Sequence, residues 1–168
     1  MKKIILILSF CIIAINIHAQ KFAYINTDYI LNKIPEYKQA QDKLDNFSND
    51  WQKELENKYT NIEEMYRSYQ KDKILLSEKM KEKREEAIIN KENEIKSLEA
   101  KYFGPDGLLY KKRQELIKPI QDKIWDATQQ FATNNKYQII FDSSSDLIMI
   151  YHNDNLDKSD KVLEILGY

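Results

Sequence analysis

The longest pattern in the chain is a helical one, which extends from Glu36 to Asn134. In its first half, apolar side chains recur every three or four residues among Lys, Glu, Gln and Asn, which draws one apolar stripe along a helix. A helix of about 35 residues from Lys38 would be about 50 Å long, more than a domain of this size needs across its core, so we expect it to protrude. The stripe consists of Leu44, Phe47, Trp51, Leu55, Tyr59, Ile62, Tyr66 and Tyr69.

The second half of the same stretch is the best candidate to cover this stripe. The pattern slips at residues 72–77, where three apolar residues follow one another and Ser77 precedes an acidic residue, as at the N-terminus of a new helix. We therefore place the tip of an antiparallel helical hairpin near residues 72–77. Arg84 and Lys91 fall on the stripe of the returning helix, so the seam between the two helices should be thin.

The N-terminus has the pattern of a secretory signal peptide, which we assign to residues 1–19. Lys2 and Lys3 precede a short apolar run, and Ala19 is the small residue before the expected cleavage site. The run is shorter than the roughly 20 residues that a membrane span needs. Cleavage would also remove Cys11, the only cysteine, so we expect no disulfide. No second hydrophobic segment approaches the length of a membrane span, so we expect a protein that is soluble in an extracytoplasmic space and has no stable membrane anchor.

The two ends of the chain, residues 20–37 and 135–168, are predicted to form one small β-rich body. Residues 21–26 are β-prone, and two further runs, 137–141 and 147–151, are separated by a polar loop of hairpin size. The two ends must meet to complete the sheet. The fold class is therefore α+β, with a small β-sheet body and a long protruding antiparallel helical hairpin.

Turn and cap signals subdivide the helical arm, residues 38–134, and mark the start of a closing helix. The strongest turn signal is Gly104-Pro105-Asp106-Gly107, which interrupts the returning helix and suggests a flexible joint. Pro119 should kink the last segment of the arm. The closing helix is predicted after Ser159, which we expect to cap it.

The small size of the body favours oligomerisation. With so much of the chain in the arm, only some fifty residues remain for a compact core, and a core of that size is marginal on its own. The formal net charge of −1 falls by two units when Lys2 and Lys3 are removed. Nucleic-acid binding needs a basic excess on one face, so we expect no nucleic-acid partner.

Residues suited to catalysis are sparse, and we expect no enzyme activity, no cofactor and no metal. His152 lies in a polar loop without a second ligand at a metal spacing. Asp154, Asp157 and Asp160 do not follow the ligand order of a calcium-binding loop. Carboxylate pairs such as Glu85-Glu86 lie among lysines, which indicates a solvated helix face rather than an acid and base pair.

Aromatic residues and methionines are unusually frequent on this polar arm. Amphipathic Tyr and flexible Met make adaptable contacts with varied apolar partners, which suits the holding of unfolded chains. Simple packing within the hairpin is the alternative explanation. The candidate client-binding residues are Tyr59, Met65, Tyr66, Tyr69, Ile74, Leu75, Leu76 and Met80.

The order of the elements and the motifs at both ends resemble the Skp (OmpH-like) family of periplasmic chaperones. The resemblance covers nearly all of the chain after the signal peptide. No single motif is chemically unique, so it rests on their joint occurrence with a hairpin of the right length. The motifs are Phe22-Ala23-Tyr24-Ile25-Asn26-Thr27-Asp28, Pro35-Glu36-Tyr37, Tyr137-Gln138-Ile139-Ile140-Phe141-Asp142 and the stretch from Leu156 to Leu163.

This resemblance implies a homotrimer in which strands of three subunits form a central β-barrel and three hairpins surround a cavity. Such a trimer would hold unfolded outer-membrane proteins after export, without ATP, until they insert. The residues expected in the trimer core are Phe22, Tyr24, Ile25, Ile139, Phe141, Ile148 and Ile150.

The net charge of this chain differs from that of well-known members of the family it resembles, which are strongly basic. Because this chain is slightly acidic, we expect no lipopolysaccharide or anionic-membrane site and a weak salt dependence of client binding.

The alternative function is a structural coiled-coil adaptor that binds one folded partner of the cell envelope.

Overall fold

A computed structural model describes residues 21–145 and 149–168. Long helices and a two-stranded sheet dominate these residues, which confirms the α+β class with a small sheet and a helical arm. Short 3₁₀ turns occupy Lys73–Leu75 and Asp154–Leu156. The main elements are β1 (Phe22–Ile25), α1 (Thr27–Lys33), α2 (Pro35–Asp72), α3 (Glu78–Phe103), α4 (Leu108–Asn135), β2 (Ile139–Asp142) and α5 (Ser159–Leu166).

Contacts divide the chain into two compact units. One comprises the residues up to Ile30 together with Ile124–Tyr168, and the other comprises Leu31–Lys123. Helix α4 therefore contributes residues to both units. The first unit contains the sheet, and the second contains the pair of helices α2 and α3.

The sheet joins the two ends of the chain, as the sequence predicted, but its strands run parallel. Phe22 of β1 pairs with Ile139 of β2, and the register continues without a bulge to Ile25 and Asp142. The carbonyl of Tyr24 accepts a hydrogen bond of 2.9 Å from the amide of Lys158. A parallel pair needs a long crossover connection, which the helices between β1 and β2 provide.

The second strand of the hairpin predicted between residues 137–141 and 147–151 is absent from its described part, residues 149–151. Leu147 and Ile148 lie outside the described residues, and residues 149–151 have no strand geometry. A β-prone sequence becomes a strand only where a neighbouring strand takes up its backbone groups, and the sheet in the part of the chain that the structure describes contains only β1 and β2. Ile150 is therefore 98% exposed.

Helix α2 begins at Pro35, in the first helical turn, one residue before the start at Glu36 that the helical pattern indicated. Pro35 needs no hydrogen-bond acceptor there, and its fixed φ suits the helix. Helix α3 also begins after Ser77, but the expected side-chain cap is absent. The main-chain carbonyl of Ser77 accepts from the amides of Met80 at 2.9 Å and Lys81 at 3.0 Å instead.

The turn between α3 and α4 is tightly packed around its two glycines. The amide of Gly104 donates to Ala100 at 2.9 Å, and that of Gly107 donates to Gly104 at 2.8 Å. A Cβ atom at Gly104 would lie 2.3 Å from the carbonyl oxygen of Ala100, and one at Gly107 would lie 2.7 Å from that of Tyr102. Both positions therefore exclude a side chain. Helix α4 then continues through Pro119 to Asn135.

The cap of the closing helix differs from the prediction. The Asp157 carboxylate accepts from the amide of Ser159 at 2.8 Å and from its hydroxyl at 2.6 Å, so Asp157 does the capping that we assigned to Ser159. The Ser159 hydroxyl oxygen accepts from the amide of Asn26 at 2.9 Å, which ties the end of β1 to α5. The helix ends at Gly167, whose φ of 91° lies in the left-handed region that glycine tolerates.

Candidate functional site

Helices α2 and α3 pack along a narrow seam, in which each helix buries one side chain in every seven residues. In α2 the buried residues recur every seven positions at Leu55, Ile62 and Tyr69. In α3 they recur in the same way at Ile88, Ile95 and Tyr102. A coiled-coil seam normally buries two positions in each heptad, so much of the apolar surface stays at the margins. Half-buried residues that pack against this seam are Trp51, Met65, Leu76, Leu98, Phe103 and Leu108.

Hydrogen bonds between tyrosine and glutamate join α2 to α3 at three levels. We call the end of the helix pair next to the Lys73–Leu75 turn the distal end. There the hydroxyl of Tyr69 donates to Glu85. The sequence did not predict this role for Glu85, which was expected on a solvated face. The two remaining bonds are Tyr59 to Glu99 at 3.3 Å and Tyr102 to Glu54 at 2.7 Å.

These bonds change the acidity of the phenols. The hydrogen bond to Glu85, with partial burial and the charge of that carboxylate, raises the pKa of Tyr69 to about 12. The hydrogen bond to Glu54 raises the pKa of Tyr102 for the same reasons. Burial, followed by the charge of Glu99, raises the pKa of Tyr59. All three phenols therefore stay protonated near neutral pH and can donate to carboxylates.

An ion pair closes the distal end of the helix pair. The Arg84 guanidinium contacts the Asp72 carboxylate at 2.8 Å, and both side chains are partly exposed. The sequence placed Arg84 on the apolar stripe of the returning helix. The structure shows that a polar contact across the seam occupies this level, where an apolar residue would otherwise pack.

The candidate client-binding residues divide into two groups. Tyr69 is only 3% exposed, and Met65 and Leu76 are half-buried against the seam. We therefore leave these three residues out of the exposed surface. Five others are exposed. Tyr59 lies farther from the Lys73–Leu75 turn and donates to Glu99. The remaining four form what we call the distal apolar surface, which consists of Tyr66, Ile74, Leu75 and Met80.

Two cavities lie along one side of the helix pair. The larger, of about 520 Å³, is lined by Asn57, Asn61, Ile95 and charged residues of both helices. The other, of about 400 Å³, shares Asn61 and is lined by Met65 and Ile88. Both mix apolar with amide and charged side chains, a lining suited to a polypeptide backbone with varied side chains.

The candidate trimer-core residues also divide by burial. Tyr24 and Ile25 are buried within the chain, so they belong to the core of the first unit. Ile148 lies outside the described residues. Ile150 is exposed but lies outside the two strands. Three others are exposed in the strands and form what we call the open sheet surface, which consists of Phe22, Ile139 and Phe141.

His152 is in contact with the buried side chain of Tyr24. Its Nδ1 atom lies 2.9 Å from the Tyr24 hydroxyl, and the two rings are 4.8 Å apart. Burial, with the charges of Asp157 and Asp154, raises the pKa of Tyr24. Within residues 21–145 and 149–168, no group of three or more His, Cys, Asp or Glu side chains has a geometry that could hold a metal ion. Across these residues, no helix is long and apolar enough to cross a membrane.

A partly buried polar network at the end of the sheet has no signal in the sequence. The Asp142 carboxylate accepts from the amide and hydroxyl of Thr27 and from the amide of Ser144. Partial burial alone would raise the pKa of the Asp142 carboxyl, but these hydrogen bonds outweigh it and hold that pKa below its usual value. The spacing of 115 residues between Thr27 and Asp142 gives no local sequence signal.

Comparison with known proteins gives one family and one fold. The profile of the family described as "Outer membrane protein (OmpH-like)" matches residues 21–166. Among solved structures, the chain is similar to an OmpH-like protein from Caulobacter crescentus CB15 that is described as a candidate outer membrane chaperone. The identity is 13%, the TM-score is 0.68, and the alignment covers 88% of this chain and 84% of that chain, which shows a shared fold. No curated protein matches the sequence significantly.

Proposed function

Because the chain belongs to the OmpH-like (Skp) family of outer membrane protein chaperones, we propose that it is an ATP-independent periplasmic holdase. It binds unfolded outer-membrane proteins after their export and keeps them from aggregating until they insert. Residues 1–19 are its signal peptide. The family is non-enzymatic, and the proposed mechanism uses binding alone.

The observation that carries this proposal is the distal apolar surface. Tyr66, Ile74, Leu75 and Met80 are more than half exposed on helices that are otherwise highly charged. Large apolar side chains exposed together on a soluble protein indicate a binding surface. Tyr and Met adapt to partners of different shape, so such a surface can hold many sequences weakly.

The open sheet surface supports assembly into a homotrimer. Phe22 and Ile139 are paired across the sheet, and both are exposed, as is Phe141. A sheet of two strands is marginal alone, and a second and third copy would extend it and cover these side chains. In the proposed trimer the three helix pairs surround the client.

Shallow, distributed contact explains both holding and release. A client strand that lies against the arm cannot pair with another client strand, which blocks aggregation at its start. The free energy of each contact is small, so the client leaves when a lower free energy becomes available in the membrane. No nucleotide is needed for this cycle.

The alternative, an adaptor for one folded partner, rests on the seam. The buried heptad positions run continuously from Leu55 to Tyr69 and from Ile88 to Tyr102, as in a structural coiled coil. The exposed residues at the tip favour the holdase instead, because a seam alone would leave no reason for Ile74 and Leu75 to be apolar.

The proposal is tested by making the distal apolar surface polar. A variant with Tyr66→Ser, Ile74→Ser, Leu75→Ser and Met80→Ser should keep its fold and oligomeric state, because these side chains are exposed. We expect it to lose most of its ability to keep a urea-unfolded outer-membrane β-barrel protein soluble on dilution. Light scattering during dilution measures this loss.

The matched control changes exposed aromatic residues elsewhere, with Tyr110→Ser and Trp125→Ser. This control should protect the client as well as the unchanged protein does. Full protection by the four-residue variant would refute the assignment of the surface. A single saturable complex with one folded protein, without any protection, would favour the adaptor.

A further inference from the structure

The pair of helices α2 and α3 carries charges of opposite sign at two levels. The tip, residues 71–84, contains six basic and three acidic residues. The middle level, residues 54–66 of α2 and 85–99 of α3, contains nine acidic and three basic residues. The formal charge of −1 for the full chain hides this separation.

The basic excess at the tip flanks an apolar turn. Salt bridges neutralise two of its three acidic residues, Asp72 and Glu78, together with two basic residues. In the turn, Ile74 is 92% exposed and Leu75 is 87% exposed. The tip is therefore an apolar wedge with a basic rim. The lysines of this rim are all exposed, and they are Lys71, Lys73, Lys79 and Lys83.

The middle level has a groove between α2 and α3 on one side. A cavity of about 480 Å³ is lined there by Ile62 and Tyr66 and by the acidic residues Glu63 and Glu92. Tyr66 is 54% exposed, so the groove is partly apolar and open to solvent. Arg67 also lines it, but it follows Glu63 by four residues and so lies beside that carboxylate on the same helix.

The same side of the helix pair repeats this composition one heptad away. Tyr59 lies seven residues before Tyr66 and donates to Glu99, which lies seven residues after Glu92. Residues at this spacing share one side of a helix. We call this surface the tyrosine–glutamate face, which consists of Tyr59, Ile62, Glu63, Tyr66, Glu92 and Glu99.

The tip and the tyrosine–glutamate face complement each other in charge, and both are partly apolar. Two tips repel each other, and so do two acidic faces, so only a contact between a tip and a face is attractive. Leu75 lies about 13 residues from Ile62, which is about 20 Å along a helix. In an antiparallel pair with two-fold symmetry, this one offset places each tip on the face of the other copy.

We propose that the tip docks on the tyrosine–glutamate face of a second copy of this chain, in an antiparallel two-fold pair. Ile74 and Leu75 of each copy enter the groove beside Ile62 and Tyr66 of the other, and the lysines of the rim face its carboxylates. The open sheet surface takes no part, so this contact joins arms of two separate assemblies. The inference does not rest on client holding, because no client takes part in it.

The pairing is weak, because exposed ion pairs contribute little each and salt screens them. It is tested by sedimentation velocity of the purified, client-free chain without residues 1–19. At low salt the average mass should rise with protein concentration above that of a single assembly. At moderate salt, or on dilution, the mass should return to that of a single assembly.

Two charge-reversal variants test the two sides of the contact. Each alone should lower the association constant by about tenfold or more, because its tip and its face then no longer attract each other. Mixed in equal amounts, the two variants should associate again, because each tip then meets a face of opposite charge. All six changed residues are exposed, and the changes are Lys71→Glu, Lys79→Glu and Lys83→Glu in the tip, and Glu56→Lys, Glu63→Lys and Glu92→Lys in the face.

The matched control makes the same change in net charge as the tip variant, with Lys111→Glu, Arg113→Glu and Lys123→Glu at exposed positions of α4. It should associate like the unchanged protein. Circular dichroism checks the fold of every variant, and recovery of association in the mixture shows that both reversed variants are folded.

Cross-linking tests which residues meet. Removal of residues 1–19 removes Cys11, the only cysteine, so single cysteines can be placed with Leu75→Cys in one preparation and Glu63→Cys in another. A short bis-maleimide should join these two faster than it joins Leu75→Cys to itself. Lys111→Cys, at an exposed position of α4, is the control and should not join to Leu75→Cys.

Three outcomes would overturn the proposal. The first is a mass that does not change with concentration at low salt. The second is association of either reversed variant that equals that of the unchanged protein, which would place the contact elsewhere. The third is a mixture that stays apart, or a control that loses association with the tip variant, since either would leave only general repulsion.

Discussion

At the scale of single residues, tyrosines of the arm serve two purposes that their sequence positions do not distinguish. Tyr69 is buried and donates to Glu85, whereas Tyr66, three positions earlier, is more than half exposed. The helical spacing places both on the same stripe. Which of them meets the opposite helix depends on how α2 and α3 are aligned, and local sequence carries little information on that alignment.

Replacing Tyr69 by Phe tests the distal tyrosine bond. The ring still packs, but the donor to Glu85 is lost, so we expect a melting temperature roughly 5 °C lower at neutral pH. The pKa of Tyr69 is raised from 10.0 to about 12. The bond therefore contributes fully below pH 10, and its contribution is lost as the pH rises through the folded-state value.

Thermal melts of both proteins across this pH range measure the effect. The difference between the unchanged protein and Tyr69→Phe should be constant below pH 10 and shrink above it. The control is Tyr66→Phe, which should melt like the unchanged protein at every pH. A difference that does not change up to pH 12 would contradict this account of the bond.

The stability that Asp142 contributes should depend on pH in the opposite direction, because it is lost in acid. Its pKa is lowered, so its contribution to stability is present above the ordinary value of 3.8 and is lost as the pH falls through the lower folded-state value. Asp142→Asn should melt several degrees lower at pH 7, and the gap should close in acid. Asp126→Asn, at an exposed site on α4, is the control. An equal gap at pH 7 and pH 2 would show that the charge of Asp142 does not matter.

At the scale of elements, the helices and the meeting of the two ends of the chain could be predicted, but the parallel pairing of the strands could not. Ser77 and the glycines at 104 and 107 are local signals, and they lie just before α3 and between α3 and α4. The partner of β1 is more than a hundred residues away, and nothing in residues 147–151 shows that they do not pair as a hairpin. Strand pairing is set by tertiary contacts, so β propensity alone does not tell which β-prone run pairs with β1.

The break between α3 and α4 is packed against one aromatic side chain of α2, that of Trp51. The ring of Trp51 stacks on Tyr102 with centroids 4.9 Å apart and meets the edge of Phe103 at 6.2 Å. Leu108, beyond the break, packs against the same seam. This packing favours a fixed bend over the flexible joint that the sequence suggested.

The fixed bend predicts slow hydrogen exchange at Gly104 and Gly107, whose amides are both bonded. Trp51→Ala should speed exchange at both amides. Gly104→Ala should cost about 2 kcal/mol or more, because its Cβ meets the Ala100 carbonyl. Asp106→Ala, at an exposed position in the same turn, is the control. Unprotected glycine amides in the unchanged protein would restore the flexible joint.

At the scale of the whole molecule, the open sheet surface predicts the oligomeric state. Ile139→Ser with Phe141→Ser should convert a trimer into a monomer without unfolding it, because both side chains are exposed in the single chain. Light scattering gives the mass, and circular dichroism checks the fold. Trp125→Ser is the control, and it should remain trimeric. A trimer that survives both sheet substitutions would place the interface elsewhere.

Client holding is the central claim, and one measurement tests it most directly. The unchanged protein without residues 1–19 is first sized by light scattering. A urea-unfolded outer-membrane β-barrel protein is then diluted into it with no nucleotide present. We predict a trimer that keeps the client soluble in proportion to the amount of trimer added. A monomer or dimer that leaves aggregation unchanged would contradict both the assembly and the holdase mechanism.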